Sequence, residues 1–155
     1  MIAKLKQFFQ TNLSAIEEKD ENHQLQLATS ALFIEMMLQD GEEQLEEKQA
    51  VRKAIKSCLN INDKQIDELF VIAEEELKQS TDYFQFTQLI NKNYNPQQKI
   101  KIIENLWTIA YSDSQLDDLE EHMVRRISEL IYVPHTQFIK AKLKVIEQMD
   151  NSANG

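Results

Sequence analysis

The chain holds very little of what breaks or staples a fold. Among its 155 residues are two Gly, two Pro, one Cys and one Trp. Hairpins and tight turns draw heavily on Gly and Pro, so their scarcity argues against sandwiches and barrels and for helices joined by short connections. The lone Cys58 has no partner for an internal disulfide, which fits a reducing compartment. There is no stretch of about 18 consecutive apolar residues, so no transmembrane span is expected. The opening MIAKLKQFFQ interrupts its apolar residues with Lys4, Lys6 and Gln7 and lacks the continuous apolar core of a secretory signal. A cytoplasmic protein with no integral membrane segment is the expectation.

What the chain does have is acid. The net charge is -9, and it is unevenly placed. Residues 17–80 carry seven basic and sixteen acidic groups, residues 81–155 eight and ten, and residues 1–16 only Lys4 and Lys6. Such a surface repels a phosphate backbone, which argues against nucleic acid as a partner, and it attracts cations or basic proteins. The same acids also serve plain solubility.

The 42% hydrophobic content falls at helical spacing, with enough length for one core. Ile2, Leu5, Phe9, Leu13 and Ile16 make an N-terminal amphipathic helix within residues 1–20. Lys4 and Lys6 beside Phe8 and Phe9 could rest on a membrane surface, but packing on the bundle or exchange between two copies suits so weak an anchor better. Leu25, Ala28, Ala31, Leu32, Met36 and Leu38 define a second helix, ending near Asp40-Gly41, and Leu45, Val51, Ala54, Ile55, Cys58 and Leu59 a third. Asn62-Asp63-Lys64-Gln65 is a capping-box pattern opening a fourth through Ile66, Leu69, Phe70, Ala73 and Leu77. A short fifth segment carries Phe86, Leu89 and Ile90 after Asp82. Asn95-Pro96-Gln97-Gln98 then starts a sixth through Ile100, Ile103, Leu106, Trp107 and Ala110. Leu116, Leu119, Met123, Ile127 and Leu130 mark a seventh, and Phe138, Ile139, Ala141, Leu143 and Ile146 an eighth starting near Pro134. The reading is all-α: a single bundle of seven to eight helices occupying residues 21–148, with residues 149–155, small and polar, expected to be a disordered tail.

Two stretches repeat. LFIEMMLQDGEEQLEEKQAVRKAI lies beside NLWTIAYSDSQLDDLEEHMVRRI with Asp40 on Asp113, Glu47 on Glu120, Val51 on Val124 and Arg52-Lys53 on Arg125-Arg126, each 73 residues apart. After one extra residue in the first copy, Ile61 falls on Val133 and Ile66 on Phe138. Each copy reads helix, acidic turn, helix, short turn, helix. Neither copy can bury its apolar faces alone, so the two are expected to pack about a pseudo-twofold axis.

The acidic turns are the only candidate chemistry. The second supplies oxygens from Asp113, Gln115, Asp117, Asp118, Glu120 and Glu121, enough for a hard divalent cation, which for calcium takes about six to eight. The spacing is not that of an EF-hand. The bland alternative is capping: Asp117-Asp118-Leu119-Glu120 is itself a capping box, and acids in a first helical turn favour the helix dipole. Elsewhere the residues are quiet. Asp118 and His122 read as a surface pair, His23 and His135 lack companions at zinc spacing, and Cys58 reads as a buried thiol. Arg52-Lys53 and Arg125-Arg126 read as partners of nearby acids or as solvated charges.

These turns, Asp-Gly-Glu-Glu-Gln-Leu-Glu-Glu from Asp40 and the longer run from Tyr111 through Lys142, give the chain its resemblance to the TerB (tellurite-resistance B) family over roughly residues 25–145. The resemblance implies an all-helical bacterial domain without established enzymatic activity, associated with tellurite and chemical-stress resistance clusters, that binds a divalent metal through the acidic turns. Carried over, the ligands are Asp40, Glu42 and Glu47 in the first turn and Asp113 and Glu120 in the second, where Asp117 adds a further oxygen. Ser114 and Gln115 depart from the family's Gly and Glu, and Glu43 stands where an aliphatic residue is usual. The expected function is a non-enzymatic module that takes calcium or magnesium and docks a protein partner. A metal-free scaffold is the alternative, dimerising through the first helix and offering an apolar groove near Trp107 and Tyr111. A metal-dependent hydrolase is a third reading, weakened because no Glu-x-x-His pair occurs.

Overall fold

The computed structural model describes residues 21–39, 45–59, 61–78, 85–112 and 121–154. Seven helices and no strand occur among them: α1 Glu21–Gln39, α2 Leu45–Cys58, α3 Asp63–Lys78, α4 Gln85–Asn93, α5 Pro96–Ser112, α6 Glu121–Leu130 and α7 His135–Asn154. The expected N-terminal helix over residues 2–18 lies outside the described residues. Helix α7 runs on to Asn154, into residues whose composition suggested a disordered tail.

The caps read at Asn62 and Asn95 form, while the capping box read at Asp117–Glu120 lies outside the described residues. Asn62 accepts from the Gln65 amide at 2.8 Å while the Gln65 side chain accepts from the Asn62 amide at 3.3 Å. Asn95 and Gln98 make the same exchange at 2.8 and 2.9 Å. Each pair satisfies two amides at a helix start that have no partner within the helix.

Helix α1 departs from the expected single stripe. Leu27, Phe33 and Ile34 are buried as well as Leu25, Ala28, Ala31, Leu32, Met36 and Leu38. A helix apolar on all sides belongs in the middle of a fold, and α1 packs against α3, α4, α5 and α6. Its buried hydroxyls turn inward on the helix itself. Thr29 donates to the Leu25 carbonyl at 2.6 Å and Ser30 to the Gln26 carbonyl at 2.9 Å, so neither is left without a hydrogen bond in the core. Thr29 also accepts from Asn105 of α5 at 3.2 Å, and Gln98 of α5 donates to Glu21 of α1 at 3.3 Å, so side-chain hydrogen bonds tie the two central helices.

The packing follows the repeat. The first helix of each copy packs on the third of its own copy, α1 on α3 and α5 on α7. The two first helices, α1 and α5, pack on each other. The second helix of each copy crosses to the first helix of the other, α2 to α5 and α6 to α1. This reciprocity is what a pseudo-twofold arrangement requires. Around it gathers one apolar cluster including Ile55, Ile66, Leu69, Ile103, Trp107 and Phe138. Helix α4 stands outside the repeated unit, between the copies.

Candidate functional site

The central helices are described up to the acidic turns, α1 as far as Gln39 and α5 as far as Ser112. Five of the six candidate ligands, Asp40, Glu42, Asp113, Asp117 and Glu120, lie outside the described residues. Glu47 sits in the first turn of α2, with its side chain outside what is described. Among the described residues, no group of three or more His, Cys, Asp or Glu could hold a metal ion.

The described surroundings of the second turn are aromatic and cationic. Trp107 stacks on Tyr111 with ring centres 5.6 Å apart and meets Phe138 of α7 at 5.2 Å. The Lys142 ammonium lies 5.4 Å from the Trp107 ring centre, and the Arg125 guanidinium 5.8 Å from that of Phe138. Both cations also reach Glu121 at the start of α6, each at 3.4 Å. Glu121 is therefore already neutralised by two basic groups, which weakens it as a cation ligand.

The apolar groove expected near Trp107 and Tyr111 is not formed by Trp107. Its side chain is 1% exposed, fully enclosed between α5 and α7, while Tyr111 is 43% exposed. An indole this large belongs in the core when its helix is central. Among the described residues the buried Trp107 Nε1–H has no hydrogen-bond acceptor.

In the first copy the basic pair behaves as expected. Arg52 pairs with Asp63 at 3.4 Å and with Asp67, and Lys56 donates to Asp63 at 3.0 Å. The Lys56 hydrogen bond, helped by Arg52, holds the Asp63 carboxyl below the usual carboxylate range. Arg52 also lies over the Phe70 ring at 5.9 Å, as Arg125 lies over Phe138 in the second copy. Each repeat thus uses the Arg of its second helix to cover an aromatic ring of its third. Cys58 is half-buried rather than enclosed, with its Sγ 3.9 Å from Ser57 Oγ. His122 is exposed and Asp118 lies outside the described residues, while exposed His135 stacks on Phe138 at 5.6 Å.

Sequence reading passed over Glu35. It is 1% exposed, in the middle of α1. One carboxyl oxygen accepts from the Phe86 amide at 2.8 Å; the other accepts from the Thr87 amide at 3.2 Å and the Thr87 hydroxyl at 2.9 Å. Glu35 caps α4 from another helix. The signal was present in Leu-Phe-Ile-Glu-Met-Met-Leu, where one acid interrupts an apolar run, because a buried acid is retained only where donors meet it.

A duplicated all-helical bundle with an acidic turn after each central helix is the class these features define. The family model described as tellurite resistance protein TerB matches residues 26–143, well over half of the chain. The chain belongs to the TerB family. No curated protein and no solved structure gives a significant match.

Proposed function

We propose that this TerB-family chain is a non-enzymatic cytoplasmic module that binds a divalent cation, calcium or magnesium, and in that form docks a protein partner, with tellurite or chemical-stress resistance as its setting. The ligands would be Asp40, Glu42 and Glu47 in the first turn and Asp113, Asp117 and Glu120 in the second. The observation that carries this reading is the recurrence of the acidic turn: Asp40, Glu47 and Arg52-Lys53 return 73 residues later as Asp113, Glu120 and Arg125-Arg126, within the stretch 26–143 that matches the TerB family model. Capping needs only one carboxylate in each turn, and each turn carries several. Carboxylate oxygens in that number are the ligands that calcium and magnesium prefer.

The test is calorimetric titration of metal-stripped protein with calcium and magnesium, in the native chain and in Asp40→Asn and Asp113→Asn. Saturable binding that weakens in each variant supports the proposal; equal heats in all three remove it. A metal-free scaffold is the second reading, favoured by the engagement of Glu121 with Lys142 and Arg125. It predicts no binding heat with either cation.

A further inference from the structure

We propose that α4 is a detachable strap, a helix that opens from the bundle while the two repeated three-helix units stay packed. Helix α4 bridges the copies by a polar latch at each end. At its start the Glu35 carboxyl of α1, in the first copy, accepts from the Phe86 and Thr87 amides and the Thr87 hydroxyl. Near its end the Asn91 side-chain amide donates to the Leu130 carbonyl at the last turn of α6, in the second copy, at 2.9 Å. Between them Phe86 and Ile90 enter the core at 1% and 0% exposure.

Three features make this element separable. It lies outside the repeat, and the copies hold each other without it, through α1 on α5, α2 on α5 and α6 on α1. It has nine residues, too few for a helix to persist in water without docking, so leaving the bundle and unfolding are one event. Its two latches are hydrogen bonds that water can replace once the helix moves away, so opening leaves no permanent orphan donors. The hinge falls at Tyr94–Asn95, where the backbone leaves helical geometry before the Asn95 cap restarts it. Opening uncovers the apolar bed of Phe86 and Ile90 together with the Glu35 carboxyl.

Native-state hydrogen exchange of the full chain, followed by NMR at increasing low urea, tests the proposal. The amides of α4 are expected to exchange about tenfold or more faster than those of Leu32 in α1 and Ile103 in α5, with a smaller urea dependence, as local opening requires. Thr87→Ala should speed the α4 amides by roughly fivefold, the effect of one lost hydrogen bond. Thr87→Ser should restore the native rate. Exchange of α4 with the same rate and urea dependence as α1 and α5 in the unaltered protein would overturn the strap, and so would a Thr87→Ala that leaves the α4 amides at the native rate.

Discussion

Replacing Glu35 by Gln changes one heavy atom in the middle of the fold and tests how α4 is held. The native carboxyl accepts hydrogen bonds from the Phe86 and Thr87 amides and the Thr87 hydroxyl at the start of α4. The amide keeps one acceptor oxygen and turns an NH2 group toward donors. If the remaining oxygen serves Thr87, the Phe86 amide loses its acceptor in a site where Glu35 and Phe86 are each 1% exposed. A buried donor left unsatisfied costs about 1–3 kcal/mol, and the favourable interaction of an acid with a helix start, about 0.3–1 kcal/mol, is lost as well. The expected loss is about 2 kcal/mol. Urea unfolding followed by circular dichroism measures it, with exposed Glu129→Gln as a control expected to fall within about 0.5 kcal/mol of the native chain. A Glu35→Gln variant as stable as that control would refute the reasoning, since water or a neighbour must then replace the carboxyl without cost.

Other outcomes follow from the same geometry. Asn62→Ala and Asn95→Ala each remove a reciprocal cap and should lower stability by about 1 kcal/mol in thermal or urea unfolding. Asp63, held below the ordinary carboxylate range by Lys56 and Arg52, stabilises the fold above the unfolded-state value of about 3.9 and loses that contribution as pH falls through its lowered folded value; carboxyl NMR should show it titrating below that value and returning toward it in Lys56→Gln. Tyr132 closes α6 at φ 61, with the Val133 amide bonded to the Ser128 carbonyl at 2.9 Å and the Tyr132 amide to the Glu129 carbonyl at 3.2 Å. This is a turn that favours Gly, so Tyr132→Gly should raise stability by up to about 1 kcal/mol, read as a higher unfolding midpoint.

The periodic parts of the chain were legible without coordinates. Asn62 and Asn95 announced their helices because a capping box is a local pattern, complete within four residues. The repeat announced the pairing of α1 with α5, because two half-cores must meet. Other features depended on packing that no local pattern encodes. The stripe drawn through Leu25 and Met36 missed Leu27, Phe33 and Ile34, whose burial comes from neighbours on every side of α1. Trp107 was read on the core stripe of its helix and is buried there, but the alternative scaffold's groove beside it was not foreseeable as closed, because Phe138 and Lys142 of α7 cover the indole. Leu143, on the apolar stripe of α7 by spacing, is 58% exposed. Glu35 was hidden because its partners lie 51 and 52 residues away. The acidic turns were legible as a repeated composition, and their residue types alone accommodate both capping and cation binding.

The measurement that bears most directly on the central claim is thermal melting of metal-stripped protein against rising calcium and magnesium, with Trp107 fluorescence read in parallel. Trp107 lies six residues before Asp113 and stacks on Tyr111 at the end of the helix that leads into the second turn. A cation that binds only the folded chain adds about 2.7 kcal/mol of stability at one hundred times its dissociation constant. The account predicts a saturable rise in melting temperature with a matching change in Trp107 emission, both lost when Asp113 is changed to Asn. Flat melting curves and unchanged emission with either cation would contradict it and leave the acidic turns as caps on a metal-free scaffold.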